Sequence, residues 1–127
     1  MDRDIDIEKV KTFLKRKEDR RRKALRERWT VACSDFDRIV SHIIARYRPL
    51  RIYQWGSLLH PEQFSEISDI DIALEGLSGP EEYFAILGDA MNMSSFPLDI
   101  IDLGKVDPET AEFIKQRGKL IYERESD

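Results

Sequence analysis

The chain has little of several things, and each scarcity excludes something. There is one cysteine, Cys33, in 127 residues. One thiol cannot form an internal disulfide or a cysteine-based zinc cluster. No apolar run approaches the roughly 18 residues that a membrane span needs. The start, Met1-Asp-Arg-Asp, is charged and no apolar stretch follows it, so no secretory leader is expected and the cytoplasm is the expected compartment. Residues 1–48 contain neither glycine nor proline, and the first breaker is Pro49. No internal repeat or low-complexity segment interrupts the chain. Its length fits one domain with a core of its own.

What the chain has in excess is charge. Asp, Glu, Lys and Arg make up 36% of it, against a usual quarter. The charges fall on a helical pattern, so they read as solvated helix rather than disorder. Their signs are unevenly placed. Residues 15–28 hold nine basic and three acidic side chains, a local charge of +6 within a total of −4, which leaves −10 for the rest. Within residues 1–48, Val10, Phe13 and Leu14 recur at helical spacing, as do Leu25, Trp29, Ala32, Phe36, Ile39, Val40, Ile43 and Tyr47. This predicts one long helix, or two with a break capped near Ser34-Asp35. A continuous helix from Ile7 to Tyr47 is roughly 60 Å long at 1.5 Å per residue, more than a small domain can cover. The second half is expected to pack on a sheet. The first half is expected to project, leaving the Val10-Phe13-Leu14 edge in need of a partner. Its basic run reads as a solvated face with i,i+4 pairs such as Glu18–Arg22, or as a contact with an acidic protein or phosphates. It carries no interleaved aromatics, so nucleic acid is not the expected partner.

After Pro49 the pattern changes. Leu50-Arg-Ile-Tyr-Gln-Trp55 alternates and is β-rich, with Ile52 and Gln54 on one face and Tyr53 and Trp55 on the other. Residues 58–68 read as a loop, Asp69 to Leu74 as a second strand, and Phe96 to Leu103 as a third. Pro80 and Pro108 suit the first turns of two helices. The first of these is expected to bury Tyr83, Phe84, Leu87, Ala90 and Met91. The second carries Ala111, Phe113 and Ile114 and stops near Gly118. Lys119 to Glu123 is a short apolar closing segment. The order α-β-β-α-β-α predicts a mixed α/β (α+β) fold, a small mixed sheet with packed helices. A helical extension over 1–48 would precede a domain over 49–127.

The stretch from Gly56 to Gly76 carries the chemistry. Asp69 and Asp71 are two apart, flanked by Ile70 and Ile72. On a strand both carboxylates leave one face while the isoleucines enter a core on the other. Two carboxylates held together repel each other unless a cation lies between them, and Mg²⁺ takes such oxygen ligands. Gly56 allows close backbone approach, and Ser57 adds a hydroxyl beside exposed backbone N–H groups, which suits a phosphate. Together these predict Mg²⁺-dependent chemistry on a nucleoside triphosphate. Taken singly, an Asp-x-Asp is commonly a solvated strand end and a Gly-Ser a plain turn. Asp99 and Asp102 are three apart, so only one of them can share a strand face with Asp69 and Asp71. His60 reads as a surface residue, His42 as structural, and Trp55 as core or as a pocket wall. Glu75 shares the face of Asp71 but lies at the far end.

Gly56-Ser57, eleven residues, then Asp69-Ile70-Asp71 resembles the signature of the DNA polymerase beta-like nucleotidyltransferases. The phrase Ser68-Asp-Ile-Asp-Ile-Ala-Leu-Glu-Gly76 resembles the minimal nucleotidyltransferases, often the antitoxin half of HEPN/MNT toxin–antitoxin pairs. The resemblance runs from about Arg51 to Glu123. It implies a polymerase beta-like fold with the third acid in an apolar-Asp-apolar element, which favours Asp99 over Asp102. Asp69, Asp71 and Asp99 would then be the catalytic, metal-holding carboxylates. Two Mg²⁺ ions would be shared with ATP as substrate, and Gly56 and Ser57 would hold its β- and γ-phosphates. The chain departs from the pattern in one place. Many relatives carry an Arg just after the Gly-Ser, where this chain has Leu58, Leu59, His60 and Pro61. Positive charge would come from His60, Lys105, a basic side chain of the long helix, or Mg²⁺ alone.

The resemblance implies AMP transfer from ATP to a hydroxyl, a tyrosine's by expectation, of a cognate HEPN ribonuclease toxin. It implies a hetero-oligomer with that toxin, or a homodimer. A non-catalytic antitoxin that neutralises by occlusion is the alternative of a different class. A small-molecule nucleotidyltransferase is the third.

Overall fold

The computed structural model describes residues 5–125. The charged start Met1-Asp-Arg-Asp lies outside the described residues. Helix α1 runs unbroken over Ile7–Arg46. Asp6 caps it by accepting the Lys9 N–H at 3.1 Å. With no glycine or proline inside, nothing stops it until Arg48 takes a left-handed φ of 48° ahead of Pro49. Of the two sequence readings the single helix is the one observed. Asp35 caps no break. Its buried carboxylate accepts from Ser94 Oγ at 2.7 Å and from Arg38 Nη2 at 2.9 Å. Arg38 also donates to the Met93 carbonyl, so this cluster ties α1 to the segment before the third strand.

Four strands follow: β1 Arg51–Trp55, β2 Ile70–Glu75, β3 Leu98–Asp102 and β4 Lys119–Glu123. Helices α2 (Pro80–Met91) and α3 (Pro108–Arg117) flank β3 in sequence. The sheet order is β3-β2-β1-β4, with β2 and β3 parallel and the other neighbours antiparallel. The expected mixed sheet is therefore present. The closing segment Lys119–Glu123 is a strand on the edge of β1 rather than an unassigned tail. The loop after β1 also contains two single turns of 3₁₀ helix, Ser57–Leu59 and Pro61–Gln63.

The strand period of two sorts the sheet into faces. Ile52, Ile70, Ile72, Leu74 and Ile100 are buried against Ala32, Phe36, Ile39 and Ile43 of α1 and Ile86 and Ala90 of α2. Each such aliphatic burial contributes roughly 1.5–3 kcal/mol. On the opposite face Tyr53, Ala73 and Leu103 pack with Ile114 of α3, a smaller cluster. Two expected core residues of α2, Phe84 and Met91, are exposed, as is Phe113 of α3. Each of these short helices meets the sheet along a narrow stripe, and the flanking apolar side chains fall outside it. His42 and Tyr47 of α1 both bond Asp89 of α2, at 2.8 and 2.6 Å, and hold that carboxyl below its usual range. No helix among the described residues is long and apolar enough to cross a membrane. The first half of α1 projects from the body, as its length requires.

Candidate active site

At one end of the sheet, the C-terminus of β1 meets the N-termini of β2 and β3. Gly56 follows β1 with φ +82°, in the left-handed region that only glycine adopts freely. A Cβ there would lie 2.0 Å from Asp71 Oδ2. The backbone of the Gly-Ser turn and the Asp71 carboxyl are thus in contact, which links two motifs that are separate in sequence. The turn is closed by Leu59 N–H donating to Gly56 O at 3.2 Å and His60 N–H to Ser57 O at 2.9 Å. It is also held from outside. The Trp29 indole N–H of α1 donates to Leu58 O at 3.0 Å, and the Leu58 side chain is buried.

Asp71 and Asp99 are register partners on the parallel pair β2–β3, so they stand side by side on one face. Asp69 lies one residue before β2. It is delivered by a turn in which Ser68 Oγ accepts the Ser65 N–H at 2.9 Å, after which Ile70 N–H bonds Pro97 O at 2.9 Å. Asp71 is only 9% exposed, while Asp69 and Asp99 are half-buried. Burial, then the charges of Asp99 and Asp69, push the Asp71 pKa up to about 7. Asp102 falls on the other face and is spent locally, its Oδ1 accepting the Gly104 N–H at 2.9 Å. Glu75 shares the Asp71 face four residues away and is held by Arg51 and Lys115. Burial works to raise its pKa, but the Lys115 and Arg51 hydrogen bonds outweigh it and leave the carboxyl below the usual range. It is an ion-pair anchor for α3.

The donor chemistry fits a hard divalent cation. Asp69, Asp71 and Asp99 lie at one end of the sheet, and after burial it is the charges of Asp99 and Asp69 that raise the Asp71 pKa, a repulsion that a cation would relieve. No group of three His, Cys, Asp or Glu side chains among the described residues is already gathered around one point. Ligation by all three carboxylates takes side-chain rotation from these positions.

The candidate cations are dispersed. His60 is exposed and near Glu62, and Lys105 is exposed on the turn after β3. Lys105 helps line an apolar cleft of about 440 Å³ between α2 and that turn. Arg28 of α1 lies with its guanidinium 4.5 Å from the Phe96 ring centroid, three residues ahead of Asp99. Two buried donors have no partner among the described residues, Arg28 Nε and Trp55 Nε1. Trp55 is the register partner of Asp71 across β1–β2, and its side chain packs on the cluster of Tyr53, Ala73, Leu103 and Ile114. Neither could be singled out from sequence, because an unpaired donor is a property of packing. The Trp29 anchor was equally hidden, since Trp29 occupies an ordinary apolar position of the α1 stripe.

The family described as "Polymerase beta, Nucleotidyltransferase" matches residues 38–127, from the last turns of α1 through all four strands. No curated protein matches the chain.

Proposed function

The chain belongs to the polymerase beta nucleotidyltransferase family, and from that premise we propose that it transfers AMP from ATP to a hydroxyl, a tyrosine's, on a cognate HEPN toxin. The observation that carries the catalytic part is the contact between the Gly56 backbone and the Asp71 carboxyl, with Asp99 in register beside it. The backbone of the Gly-Ser turn and the acidic side chains thereby share one place. Asp69 and Asp99 are half-exposed, so an acceptor can approach them from solvent.

In this reading Asp69, Asp71 and Asp99 hold Mg²⁺. When bound, Mg²⁺ neutralises the triphosphate and stabilises departing pyrophosphate. Ser57 and the adjoining backbone N–H groups hold the β- and γ-phosphates. The acceptor oxygen attacks the α-phosphorus, the bond from that phosphorus to the α,β-bridging oxygen breaks, and pyrophosphate leaves. Asp99 takes the hydroxyl proton and passes it to water. Trp29 keeps the Gly-Ser turn in place through Leu58.

Intact-mass spectrometry after incubation with ATP, Mg²⁺ and the partner tests this. A gain of one or more AMP units on the partner is expected. It should vanish with Asp69→Asn/Asp71→Asn and persist with Asp102→Asn. No gain in a folded complex would remove the catalytic reading for that pair. A second reading is then the occluding antitoxin. Two observations favour it: no arginine follows Gly56-Ser57, and the carboxylates are not gathered on one point. Neutralisation that survives Asp69→Asn/Asp71→Asn would establish it.

A further inference from the structure

The candidate site makes no use of the basic run of α1, residues 15–28, and the fold leaves that run largely unpaired. Of its nine cations only Arg21 and Arg22 are in ion pairs among the described residues. Both share Glu18, and Arg21 also reaches Glu66. These pairs, at 3.4 to 3.7 Å, lie in contact with water and contribute little. Arg22, Leu25, Arg26 and Trp29 are three and four apart, so they share one face of the helix. That face meets the loop after β1, where a groove of about 390 Å³ opens. Leu25 and Trp29 of the helix and Pro61 and Phe64 of the loop give it an apolar lining, and Arg21, Arg22 and Arg26 add three cations. Leu25 and Trp29 are only half-buried. Trp29 also holds Leu58 O, so the groove and the Gly-Ser turn share one loop and one anchor.

We propose that this groove docks an acidic amphipathic helix of a protein partner, with its apolar side chains against Leu25 and Trp29 and its carboxylates against Arg22 and Arg26. Charge complementarity selects the occupant: the run carries +6, and arginines four apart match carboxylates four apart on a second helix. The apolar lining selects protein over nucleic acid. A phosphate backbone has nothing to bury against Leu25 and Trp29, and its evenly spaced charges would meet Glu18 and Glu62 in the same groove. A protein helix can set carboxylates beside the arginines alone and neutral residues beside the glutamates. The inference extends the proposed function by giving the partner's chemistry. It rests on that reading only for the partner's role as acceptor, and it is tested without ATP, so docking and AMP transfer stand or fall separately.

Fluorescence anisotropy tests this, with the full chain titrated into a labelled synthetic peptide of glutamates interrupted by leucines at helical spacing. Saturable binding is expected, weakened by added salt. Arg22→Glu/Arg26→Glu, at exposed positions, should weaken it by at least about ten-fold with the thermal transition unchanged. Arg16→Glu/Lys23→Glu makes the same charge change on another face of α1 and should cost much less. A leucine-free glutamate peptide should bind at least about ten-fold more weakly. In proton–nitrogen correlation spectra the Trp29 indole N–H should shift on binding while that of Trp55 stays. No saturable binding, equal losses for the two double variants, equal affinity for the leucine-free peptide, or a stationary Trp29 indole would each overturn the proposal. So would an RNA that binds the basic run and that the peptide fails to displace.

Discussion

At the residue scale, Gly56 and Asp71 form a coupled pair. Gly56→Ala would put a methyl group 2.0 Å from Asp71 Oδ2 on a backbone with φ +82°. A cost of about 1–3 kcal/mol for the backbone alone is expected, with displacement of Asp71 added. Thermal unfolding should show the loss of stability, and AMP transfer should fall with it. Wild-type transfer by this variant would remove the contact from the mechanism. Asp71 also makes stability pH-dependent. Its folded pKa of about 7 lies above the ordinary carboxylate value. Its protonated form is therefore favoured by folding. That stability is fully present below about pH 4, where the unfolded chain is protonated too, and is lost as the pH rises through 7. In chelator, the wild-type melting temperature should fall across this window more steeply than that of Asp71→Asn. Parallel profiles for the two proteins would contradict it. The pairing of two aspartates two apart was legible in the sequence because strand alternation is local. The depth of Asp71 was not, because it depends on which strand lies on either side.

At the element scale, α1 positions the Gly-Ser turn through one side chain. Trp29→Phe keeps the apolar ring and deletes the N–H that reaches Leu58 O at 3.0 Å. A modest stability loss of about 1 kcal/mol is expected. If the turn's position matters to chemistry, kcat should fall by more than this loss implies while the overall fold is retained by circular dichroism. Unchanged kinetics would make Trp29 a packing residue only. Most elements could be read from periodicity and proline placement: α1 from its unbroken pattern, and α2 and α3 from Pro80 and Pro108. The strand identity of Lys119–Glu123 could not. Its five residues become β4 by bonding the free edge of β1, a contact nearly seventy residues away in the chain. The buried faces of α2 and α3 were over-read for a related reason. Apolar spacing shows that a stripe exists, and docking decides how wide it is.

At the scale of the whole molecule, the chain is a layered body with α1 and α2 on one side of the sheet and α3 on the other, and an arm extending from α1. The two halves of α1 should differ in protection. Amides of residues 7–24, nearly all of them exposed, should exchange near the rate of an isolated helix. Residues 32–43, buried against the sheet, should exchange only through global unfolding. Equal protection along α1 would show the arm to be covered by the body. The sequence by itself determined that residues 7–47 are helical, in one helix or two, the strand alternation that sends two aspartates to one face, and the membership of the chain in a nucleotidyltransferase family. All of these depend on neighbours in the chain or on spacing along it. Only the tertiary structure decided that Asp99 rather than Asp102 stands beside Asp71, that Gly56 touches its carboxyl, and that Trp29 and Asp35 are anchors. Those facts follow from strand register and helix docking, where the energy comes from contacts between residues far apart in sequence, and no local pattern records which of them will meet.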